Sequence, residues 1–368
     1  MELIEQPIAD SQTLQQLCKR LLSESEIAVD TEFTRVRTYR PRLELIQVAT
    51  ARIAFCVDVP QCGDISSVKE LLRSPSRVIV MHSASQDLEI FRQLQAIPHR
   101  LFDTQIAATM CGHERVSYKG LVQELIGVEL SKAMTRSNWS ARPLSRKQIQ
   151  YALDDVCNLI PLKLLLSQEL DRLSRRSWLV EECGRLLERY RKDMMDIEVY
   201  GSFDRAARLG IADQHRVRDL MLWRERRARK INLPVQWVVS DENIMNLVQA
   251  RPNNEGQVAK VIGLRKFRQS GWLTEVLGIL HSQPDPASEP VWKDWVELTR
   301  NEKRLVKQVL QVARQSASQH QIPSSLICTR KEAEAIARGK RKGRVFSGWR
   351  RELVADAILD LLPDQENV

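Results

Sequence analysis

The stretch IAVDTEF at residues 27–33 constrains the fold of this chain more than any other part of the sequence. Every second residue is apolar or weakly polar, which predicts a strand with one face packed into a core: Ile27, Val29, Thr31 and Phe33. The opposite face carries Asp30 and Glu32. Two acids at positions i and i+2 repel each other and lose solvation when they are buried, so something must compensate for their charge.

Strand-like and helix-like patterns alternate over the first 130 residues. Apolar runs with strand character follow at 43–50, 52–59 and 77–83, and the tight turn between the first two predicts a hairpin beside the first strand. Helical spacing follows at 84–94 and again from Ser145, a candidate N-cap, while Pro161 is expected to kink or restart that second helix. This order predicts a mixed α/β domain that ends near residue 195.

The composition is that of a globular chain without membrane or secretion signals. With 368 residues, 43% of them hydrophobic, the chain can bury the cores of two or three domains. No apolar stretch reaches the ~18 residues of a membrane span, and the first residues lack the order of a signal peptide. The seven cysteines include no Cys-x-x-Cys pair, which argues against a disulfide framework or a zinc knuckle. We therefore expect a cytoplasmic protein without membrane association.

The net charge of the chain lies entirely in its second half. Residues 1–200 contain 27 Lys and Arg against 27 Asp and Glu, whereas residues 201–368 contain 29 against 20. A basic half beside a neutral half indicates a region that binds a polyanion next to a separate functional domain. The alternative is a basic surface that is merely solvated.

Residues beyond 205 lose their strand signals and contain an internal repeat. NLPVQWVVSDENIMNLV (232–248) matches QIPSSLICTRKEAEAIA (321–337), and SGW recurs at 270–272 and 347–349. The proline-rich QPDPASEP (283–290) has the composition of a linker between the two copies. The sequence thus predicts a duplicated helical module, in which Trp272 and Trp349 are core residues rather than base-stacking platforms.

Two further places offer carboxylates that could join Asp30 and Glu32. Asp87 lies one turn into the helix that follows the strand at 77–81, with Ser83 as a candidate N-cap. In QYALDDV (150–156), Tyr151 precedes two acids by three and four residues, so Asp154 and Asp155 can both share its helix face. Spacing alone leaves open which of the two is a ligand, and a solvated helix face is the alternative.

Acids from three separate elements of one domain predict a metal site. Mg²⁺ and Mn²⁺ prefer oxygen ligands, and a divalent cation makes opposed carboxylates tolerable. Two ions about 4 Å apart would straddle the phosphate of an in-line displacement.

Three motifs in this order resemble the DEDD superfamily of exonucleases, in its tyrosine-bearing subclass (DEDDy): DTEF at 30–33, HSASQDLEIF at 82–91 and YALDDV at 151–156. The similarity extends to TYRPRLELIQVA (38–49) and NWSARPLS (138–145). The whole chain is most similar to the bacterial ribonuclease D family. Its two helical modules resemble HRDC domains, the helicase-and-ribonuclease-D C-terminal repeat.

The resemblance implies a domain plan. An α/β ribonuclease H-like (DEDD exonuclease) catalytic domain would occupy residues 1–200. Two all-α HRDC-like domains would follow at 210–282 and 291–368. Nearly the whole chain is covered by this plan.

The resemblance also implies a site and a reaction. The four acids would be Asp30, Glu32, Asp87 and Asp155, and the tyrosine would be Tyr151. They would hold two divalent ions, Mg²⁺ or Mn²⁺, with Tyr151 orienting the attacking water. The reaction implied is hydrolysis of the last phosphodiester at a 3′ end, which releases 5′-mononucleotides.

Other residues near the motifs are candidate substrate contacts. Phe33 and His82 flank the acids and could contact the terminal base or ribose, although core packing is the alternative for Phe33. Trp139 and Arg142 lie in the loop before the third motif and could line the substrate path.

The stretch ARGKRKGRVF (337–346) places five cations in the seven residues 338–344, beside Gly339 and Gly343. Four of them are candidate RNA contacts: Lys340, Arg341, Lys342 and Arg344. WRERRARK (223–230) and RKFRQSGW (265–272) are further basic stretches. Modules of this kind could instead be architectural or contact proteins.

Three functions are compatible with these sequence features. The favoured one is a metal-dependent 3′→5′ exoribonuclease that acts as a monomer on structured RNA, such as tRNA precursors with single-stranded 3′ tails. A DNA 3′→5′ exonuclease would use the same acids, because the site acts on the phosphate. Discrimination between RNA and DNA requires contacts to the 2′-OH. An RNA-binding scaffold with an inactive nuclease fold would be expected to have lost an acid, and all four are present.

Overall fold

A computed structural model describes residues 1–130, 137–192, 196–263, 271–285, 287–292 and 297–362. The chain forms two compact units. Unit 1 comprises Met1–Thr34, Arg42–Lys192 and Leu298–Val368, and unit 2 comprises Arg35–Pro41 and Asp193–Glu297.

Unit 1 contains a six-stranded mixed sheet in the order β1-β4-β3-β2-β5-β6. The strands are β1 (Glu2–Ile8), β2 (Glu26–Thr34), β3 (Arg42–Ala49), β4 (Ile53–Asp58), β5 (Val78–Met81) and β6 (Arg100–Asp103). β3 pairs antiparallel with both β2 and β4, whereas the other neighbours pair parallel, so β3 alone runs against the rest. This is the mixed sheet of a ribonuclease H-like fold, as predicted.

The predicted hairpin is correct, and two edge strands were missed. The tight turn at 50–52 joins β3 to β4, and all six residues of β4 are buried. β1 and β6 had not been predicted from the sequence. β1 (ELIEQPI) is mostly exposed and contains Pro7, and β6 (RLFD) has only four residues, so neither shows a clear alternating pattern.

Helices surround this sheet in the first part of unit 1. They are α1 (Ser11–Arg20), α2 (Val59–Cys62), α3 (Ser66–Arg73), α4 (Ser85–Gln93), α5 (Thr104–Cys111), α6 (Tyr118–Leu121), α7 (Arg146–Cys157), α8 (Leu159–Arg172) and α9 (Arg176–Arg191). A π-helical turn at Val122–Ile126 continues α6. α7 packs across β1, β2, β3 and β4, which brings its side chains to the centre of the sheet.

The long helix predicted from Ser145 is two helices. α7 ends at Cys157 and α8 begins at Leu159, with Asn158 between them. Pro161 is the third residue of α8, where the backbone N–H has no partner within the helix in any case. The break therefore precedes the proline by three residues, and Pro161 acts as a restart rather than a kink.

Unit 2 is helical in its described residues. Its helices are α10 (Asp196–Tyr200), α11 (Ile211–Ile231), α12 (Val235–Val238), α13 (Asp241–Ala250), α14 (Glu255–Ile262) and α15 (Trp272–His281), with a 3-10 turn at Asp204–Arg208. Trp272 is buried against Trp223, with ring centroids 5.9 Å apart. The loop Arg35–Pro41 belongs to this unit, where the Tyr39 hydroxyl donates a hydrogen bond to Glu225.

The last part of unit 1 repeats the helices of unit 2. It contains α16 (Arg300–His320), α17 (Ser324–Ile327), α18 (Arg330–Ala337), α19 (Gly348–Arg350) and α20 (Asp356–Leu359), with short 3-10 and π-helical turns at Arg344–Phe346 and Arg351–Ala355. α16, α17 and the start of α18 lie 89 residues after α11, α12 and the start of α13. Both long helices have 21 residues and end at a left-handed residue, Asn232 or Gln321. The predicted duplication is therefore present in the structure.

The second helical copy shares one hydrophobic core with the sheet. Buried residues of α16 and α18 belong to the same cluster as those of β2 to β6. Trp178 of α9 stacks on Trp349, with ring centroids 4.4 Å apart and planes 15° from parallel. Residues 298–362 thus pack with the sheet in unit 1. The predicted domain boundaries, including a second helical domain at 291–368, remain predictions.

Candidate active site

The central strand β2 carries two of the acids. Asp30 and Glu32 are half-buried, and they pair across the ladder with Gln47 and Leu45 of β3. The register of β2 shifts immediately after Glu32. Such a bulge ends the regular ladder and re-aims the side chains beside it.

Asp87 reaches the site from the third residue of α4. It is buried, and its Oδ1 accepts a hydrogen bond of 2.5 Å from the Thr31 hydroxyl. Ser83 is not the N-cap of this helix, as the sequence had suggested. The helix starts at Ser85 after Ala84, while Ser83 adopts a left-handed conformation with φ of 58°. The chain therefore makes a sharp turn between β5 and α4.

Asp103 holds that turn and was missed in the sequence. Its carboxylate accepts hydrogen bonds from the backbone N–H groups of Ser83 and Ala84, at 3.1 and 2.9 Å. It also caps α5 by accepting from the N–H groups of Gln105 and Ile106. The signal in the sequence was an acid between a short apolar run and a helical pattern, which is an N-cap signature.

The last acid and the tyrosine lie on α7. The predicted N-cap is confirmed: Ser145 and Gln148 form a reciprocal capping box that starts the helix. Asp155 accepts a hydrogen bond from the Tyr151 hydroxyl. Asp154 instead accepts from the side-chain amide of Gln150, at 2.8 Å. The structure thus places Asp155, and not Asp154, with Tyr151 and the acids of β2.

Tyr118 anchors α7 from outside the three motifs. Its hydroxyl donates a hydrogen bond of 2.7 Å to the backbone carbonyl of Asp154. This tyrosine lies in a short helical segment with no carboxylate of its own, so no pattern in the sequence pointed to it.

Burial raises the pKa of all four carboxyl groups, and the charges of the other acids raise those of Asp30 and Glu32 further. Burial and then the charges of Asp87, Asp155 and Glu32 hold the pKa of Asp30 well above its usual range. Burial and the neighbouring acids raise the pKa of Glu32 to about 8, and burial raises that of Asp155 to about 7 and that of Asp87 to about 6. No Lys or Arg among the described residues forms an ion pair with any of the four acids. The site therefore concentrates acidic groups without a compensating cation from the part of the chain that the structure describes.

Comparison with known proteins agrees with this arrangement. The family model for a 3′-5′ exonuclease matches residues 6–171, and the model for an HRDC domain matches residues 213–277. A ribonuclease D from Sphingobium indicum is 33% identical over 373 residues, covering 96% of this chain and 94% of that protein. The chain belongs to the ribonuclease D family. It is accordingly a 3′→5′ exoribonuclease.

Comparison with Escherichia coli extends this relationship to the structure. The curated ribonuclease D of strain K12 is 29% identical, with 98% of each chain covered. The crystal structure of E. coli RNase D aligns with a TM-score of 0.85 over 97% of this chain, at 28% identity. That relative is described as an exoribonuclease involved in structured RNA processing.

The donor set of the site fits the divalent metal on which this family of exonucleases depends. Four carboxylates with raised pKa values, and with no ion-pair partner among the described residues, match the preference of Mg²⁺ and Mn²⁺ for hard oxygen ligands. Within the described parts of the chain, however, no three His, Cys, Asp or Glu side chains already form a ligand cluster. Asp87 and Asp155 instead accept hydrogen bonds from the hydroxyls of Thr31 and Tyr151.

Two predicted substrate contacts have structural roles. Trp139 is 2% exposed and packs on Tyr151, with ring centroids 6.2 Å apart. Arg142 forms a bidentate pair with Asp58 and donates to the backbone carbonyls of Trp139, Ala141 and Glu44. These bonds use all five N–H groups of the guanidinium, so none is left for a phosphate. The predicted substrate contact of Arg142 is therefore not supported by the structure.

The two residues that flank the acids differ in their surroundings. His82 is half-buried, and its Nδ1 lies 2.9 Å from the Thr104 hydroxyl. Burial lowers the pKa of His82, so its ring is neutral near pH 7. Phe33 is also half-buried and packs against the core of unit 1. A substrate role therefore remains a prediction for His82 and Phe33.

The cations of the basic stretch 338–344 differ in whether they form ion pairs within the protein. Lys340 and Lys342 are exposed and form no ion pair with any described residue. Arg344 is paired with Glu332 at 2.7 Å and donates to the carbonyl of Ser325, so it serves the fold of the module. Arg341 is half-buried, and most of RKFRQSGW lies outside the described residues. Trp272 and Trp349 are buried, as predicted.

The metal-free protein should lose stability as the pH rises from about 5 to about 8.5. The carboxyls of Asp87, Asp155 and Glu32 have higher pKa values folded than unfolded, so the folded state binds more protons in this window. This stability is fully present below the unfolded pKa of about 4 and is lost as the pH passes about 6, 7 and 8. We expect urea denaturation in EDTA to show a decrease of several kcal/mol, since each unit by which a pKa is higher in the folded state corresponds to about 1.4 kcal/mol.

Added Mg²⁺ should remove most of this loss, because a bound cation stabilises the ionised carboxylates. Asp30→Asn should flatten the pH dependence in EDTA, since it removes one of the repelling groups. A free energy of unfolding that increased over the same window would contradict the charge assignment.

Proposed function

We propose that this chain removes nucleotides from the 3′ ends of structured RNA, such as tRNA precursors, by two-metal-ion hydrolysis that releases 5′-mononucleotides. One observation carries the mechanism. Four buried or half-buried carboxyl groups from β2, α4 and α7 have raised pKa values, those of Asp30 and Glu32 partly through the charges of the other acids, and no described Lys or Arg pairs with them. The hydroxyl of Tyr151 lies beside them.

The four acids would hold the metal ions as two overlapping sets. Asp30, Glu32 and Asp155 would bind the ion on the side of the attacking water. Asp30 would also reach the second ion, with Asp87 binding it directly or through water. When bound, such ions lower the pKa of a water molecule and stabilise the departing oxygen.

The residues of the chain position the reactants for that chemistry. Thr31 holds the Asp87 carboxylate by its hydrogen bond, and the turn held by Asp103 fixes the start of α4. Tyr151 would orient the attacking water through its hydroxyl. Burial and then the neighbouring acids raise the pKa of Tyr151, so the phenol stays protonated and serves as a hydrogen-bonding group rather than as a base.

Tyr151→Phe should reduce the rate of 3′ trimming by about 10²-fold or more, because a positioned hydrogen-bonding group is lost at the reacting water. The Kd for Mn²⁺ should change by less than about threefold, since the four carboxylates remain. Single-turnover rates and Mn²⁺ titrations of both proteins check this. An unchanged rate in the variant would remove Tyr151 from the mechanism.

The relative of known structure supports RNA as the substrate. The exposed lysines of the second helical copy support binding of the folded part of that RNA. We propose that Lys340 and Lys342 contact phosphates, assisted by backbone approach at Gly339 and Gly343, whose φ angles are 94° and 132°. We further propose that the second copy at 291–368 is an HRDC-like domain, like the matched region 213–277.

We also propose a cellular compartment and an oligomeric state for the protein. All seven cysteines are free, which supports a reducing compartment such as the cytoplasm. No helix in the described ranges is long and apolar enough to cross a membrane. We propose that the protein acts as a monomer.

Competition between RNA and DNA tests the substrate assignment. A hairpin with a single-stranded 3′ tail would be offered as RNA and as DNA of the same sequence, with Mg²⁺ or Mn²⁺. The proposal predicts a ladder that shortens the RNA tail one nucleotide at a time, and little shortening of DNA. Preference for DNA would favour a repair-type exonuclease, and binding without cleavage would favour a scaffold.

A further inference from the structure

Gln47 is a fully buried polar residue to which the mechanism above gives no role. It lies within β3 and is 0% exposed, and both Nε2 and Oε1 of its amide are buried without a hydrogen-bond partner. A buried polar group without a partner costs about 1–3 kcal/mol. Such a group inside a folded protein therefore calls for an explanation.

The ladder places Gln47 directly beside a catalytic acid. Gln47 pairs with Asp30 across β2 and β3, and with Cys56 across β3 and β4. Residues directly opposed in antiparallel strands project from the same face of the sheet, with Cβ atoms about 4.5–5.5 Å apart. Asp30, Gln47 and Cys56 thus form one row, and the amide is within reach of the Asp30 carboxylate.

The electrostatics of Cys56 show that the acids act across this row. Burial raises the pKa of the Cys56 thiol, and the charges of four neighbours raise it further: Cys157, Asp30, Asp155 and Glu32. Cys56 is separated from Asp30 by the position of Gln47. α7, which carries Asp155, packs against all three strands of the row. The Gln47 amide is therefore buried among the groups of the catalytic centre.

We propose that Gln47 is a positioning residue whose Nε2–H, which has no partner in this structure, donates a hydrogen bond to the Asp30 carboxylate when that carboxylate is ionised and binds metal, fixing the orientation of Asp30 as a ligand. The proposal rests on the proposed function, in which Asp30 is a metal ligand. A carboxamide suits this task because it donates without bringing a positive charge that would compete with a divalent cation. Its Oε1 can in turn accept from the protonated Cys56 thiol, a weak donor. Outer groups that orient metal ligands in this way tune metal affinity.

Mn²⁺ binding measured by electron paramagnetic resonance tests this role apart from activity. The variants are Gln47→Met and Gln47→Leu. Each replaces the carboxamide with an apolar side chain of similar volume and so removes the hydrogen-bond donor. Ser167→Ala is the matched control, because Ser167 of α8 is also buried with its hydroxyl unpartnered. Asp30→Asn reports the loss of a ligand.

We expect both Gln47 variants to raise the Kd for Mn²⁺ by about tenfold or more, as is typical for outer groups of a metal site. kcat on tailed RNA should fall while KM changes little, and Ser167→Ala should match the wild type. The Gln47 variants should unfold at the same temperature as the wild type or a higher one, since an unpaired buried amide has been removed.

Three outcomes would overturn the inference. Unchanged Mn²⁺ affinity in both Gln47 variants, with Asp30→Asn impaired, would exclude the role of Gln47 and leave the proposed function intact. Absence of Mn²⁺ binding to the wild type would refute both. Failure of both Gln47 variants to fold would assign the amide to the fold alone.

Discussion

Asp155→Asn should lower kcat/KM for 3′ trimming of RNA by about 10³-fold or more. The substitution removes one metal-binding oxygen and its charge, and metal ions contribute several kcal/mol of transition-state stabilisation, at 1.36 kcal/mol for each tenfold in rate. The asparagine side chain still accepts a hydrogen bond from Tyr151, so the local structure should persist. In EDTA near neutral pH the variant should be at least as stable as the wild type, because one of four repelling carboxyl groups is gone.

Asp154→Asn is the matched control for this prediction. The two acids are neighbours on α7, but Asp154 bonds to Gln150 whereas Asp155 faces Tyr151 and the acids of β2. We expect Asp154→Asn to retain activity within about threefold, because a half-buried acid outside the cluster contributes little to the transition state. Equal losses in the two variants, or a larger loss in Asp154→Asn, would contradict the assignment of Asp155. Steady-state kinetics on tailed RNA decide between them.

Arg350→Met should destabilise unit 1 by about 3–5 kcal/mol, the usual cost of leaving one partner of a buried ion pair alone. Arg350 is fully buried, and its Nη1 donates a hydrogen bond of 2.5 Å to Glu182 of α9. Its guanidinium also lies over the Trp349 ring, 4.2 Å from the centroid. Burial alone would raise the pKa of Glu182. The hydrogen bond and charge of Arg350, with smaller contributions from Trp349 and Arg344, together outweigh it, and the pKa lies below its usual value.

The measurement is urea denaturation followed by tryptophan fluorescence, since Trp178 and Trp349 stack beside this ion pair. Arg330→Met is the control, because Arg330 is exposed and, among the described residues, pairs with Glu334 at i,i+4. That pair contributes about 0.3–0.5 kcal/mol. A decrease in the free energy of unfolding below about 1 kcal/mol for Arg350→Met would show that this contact does not stabilise the packing of the second helical copy in unit 1.

The carboxylates and the tyrosine could be located from the sequence because their spacing follows the periodicity of single elements. Asp30 and Glu32 share a strand face, and Tyr151 and Asp155 are one helical turn apart. The structure places these groups close enough for their charges to interact, which the spacing had suggested. Helix starts such as Ser145 followed from local capping chemistry in the same way.

The groups that support the acids could not be found because they depend on pairing between distant segments. Thr31 is buried, as predicted, but the hydrogen bond from its hydroxyl to Asp87, 56 residues away, could not be predicted. Gln47 acquires its position from the register of β2 and β3, which no local pattern specifies. Arg142 suggested a phosphate contact because it is a cation near a motif, and only the fold shows that Asp58 and three carbonyls occupy it.

The identity of the released product tests the central claim most directly. An RNA hairpin with a single-stranded 3′ tail, labelled in its last nucleotides, would be incubated with the wild-type protein and Mg²⁺ or Mn²⁺, and the soluble products separated by chromatography. The account predicts nucleoside 5′-monophosphates released singly from the 3′ end, and no release in EDTA. Internal oligonucleotides, 3′-phosphorylated nucleotides or release that persists in EDTA would contradict hydrolysis by a metal–carboxylate centre.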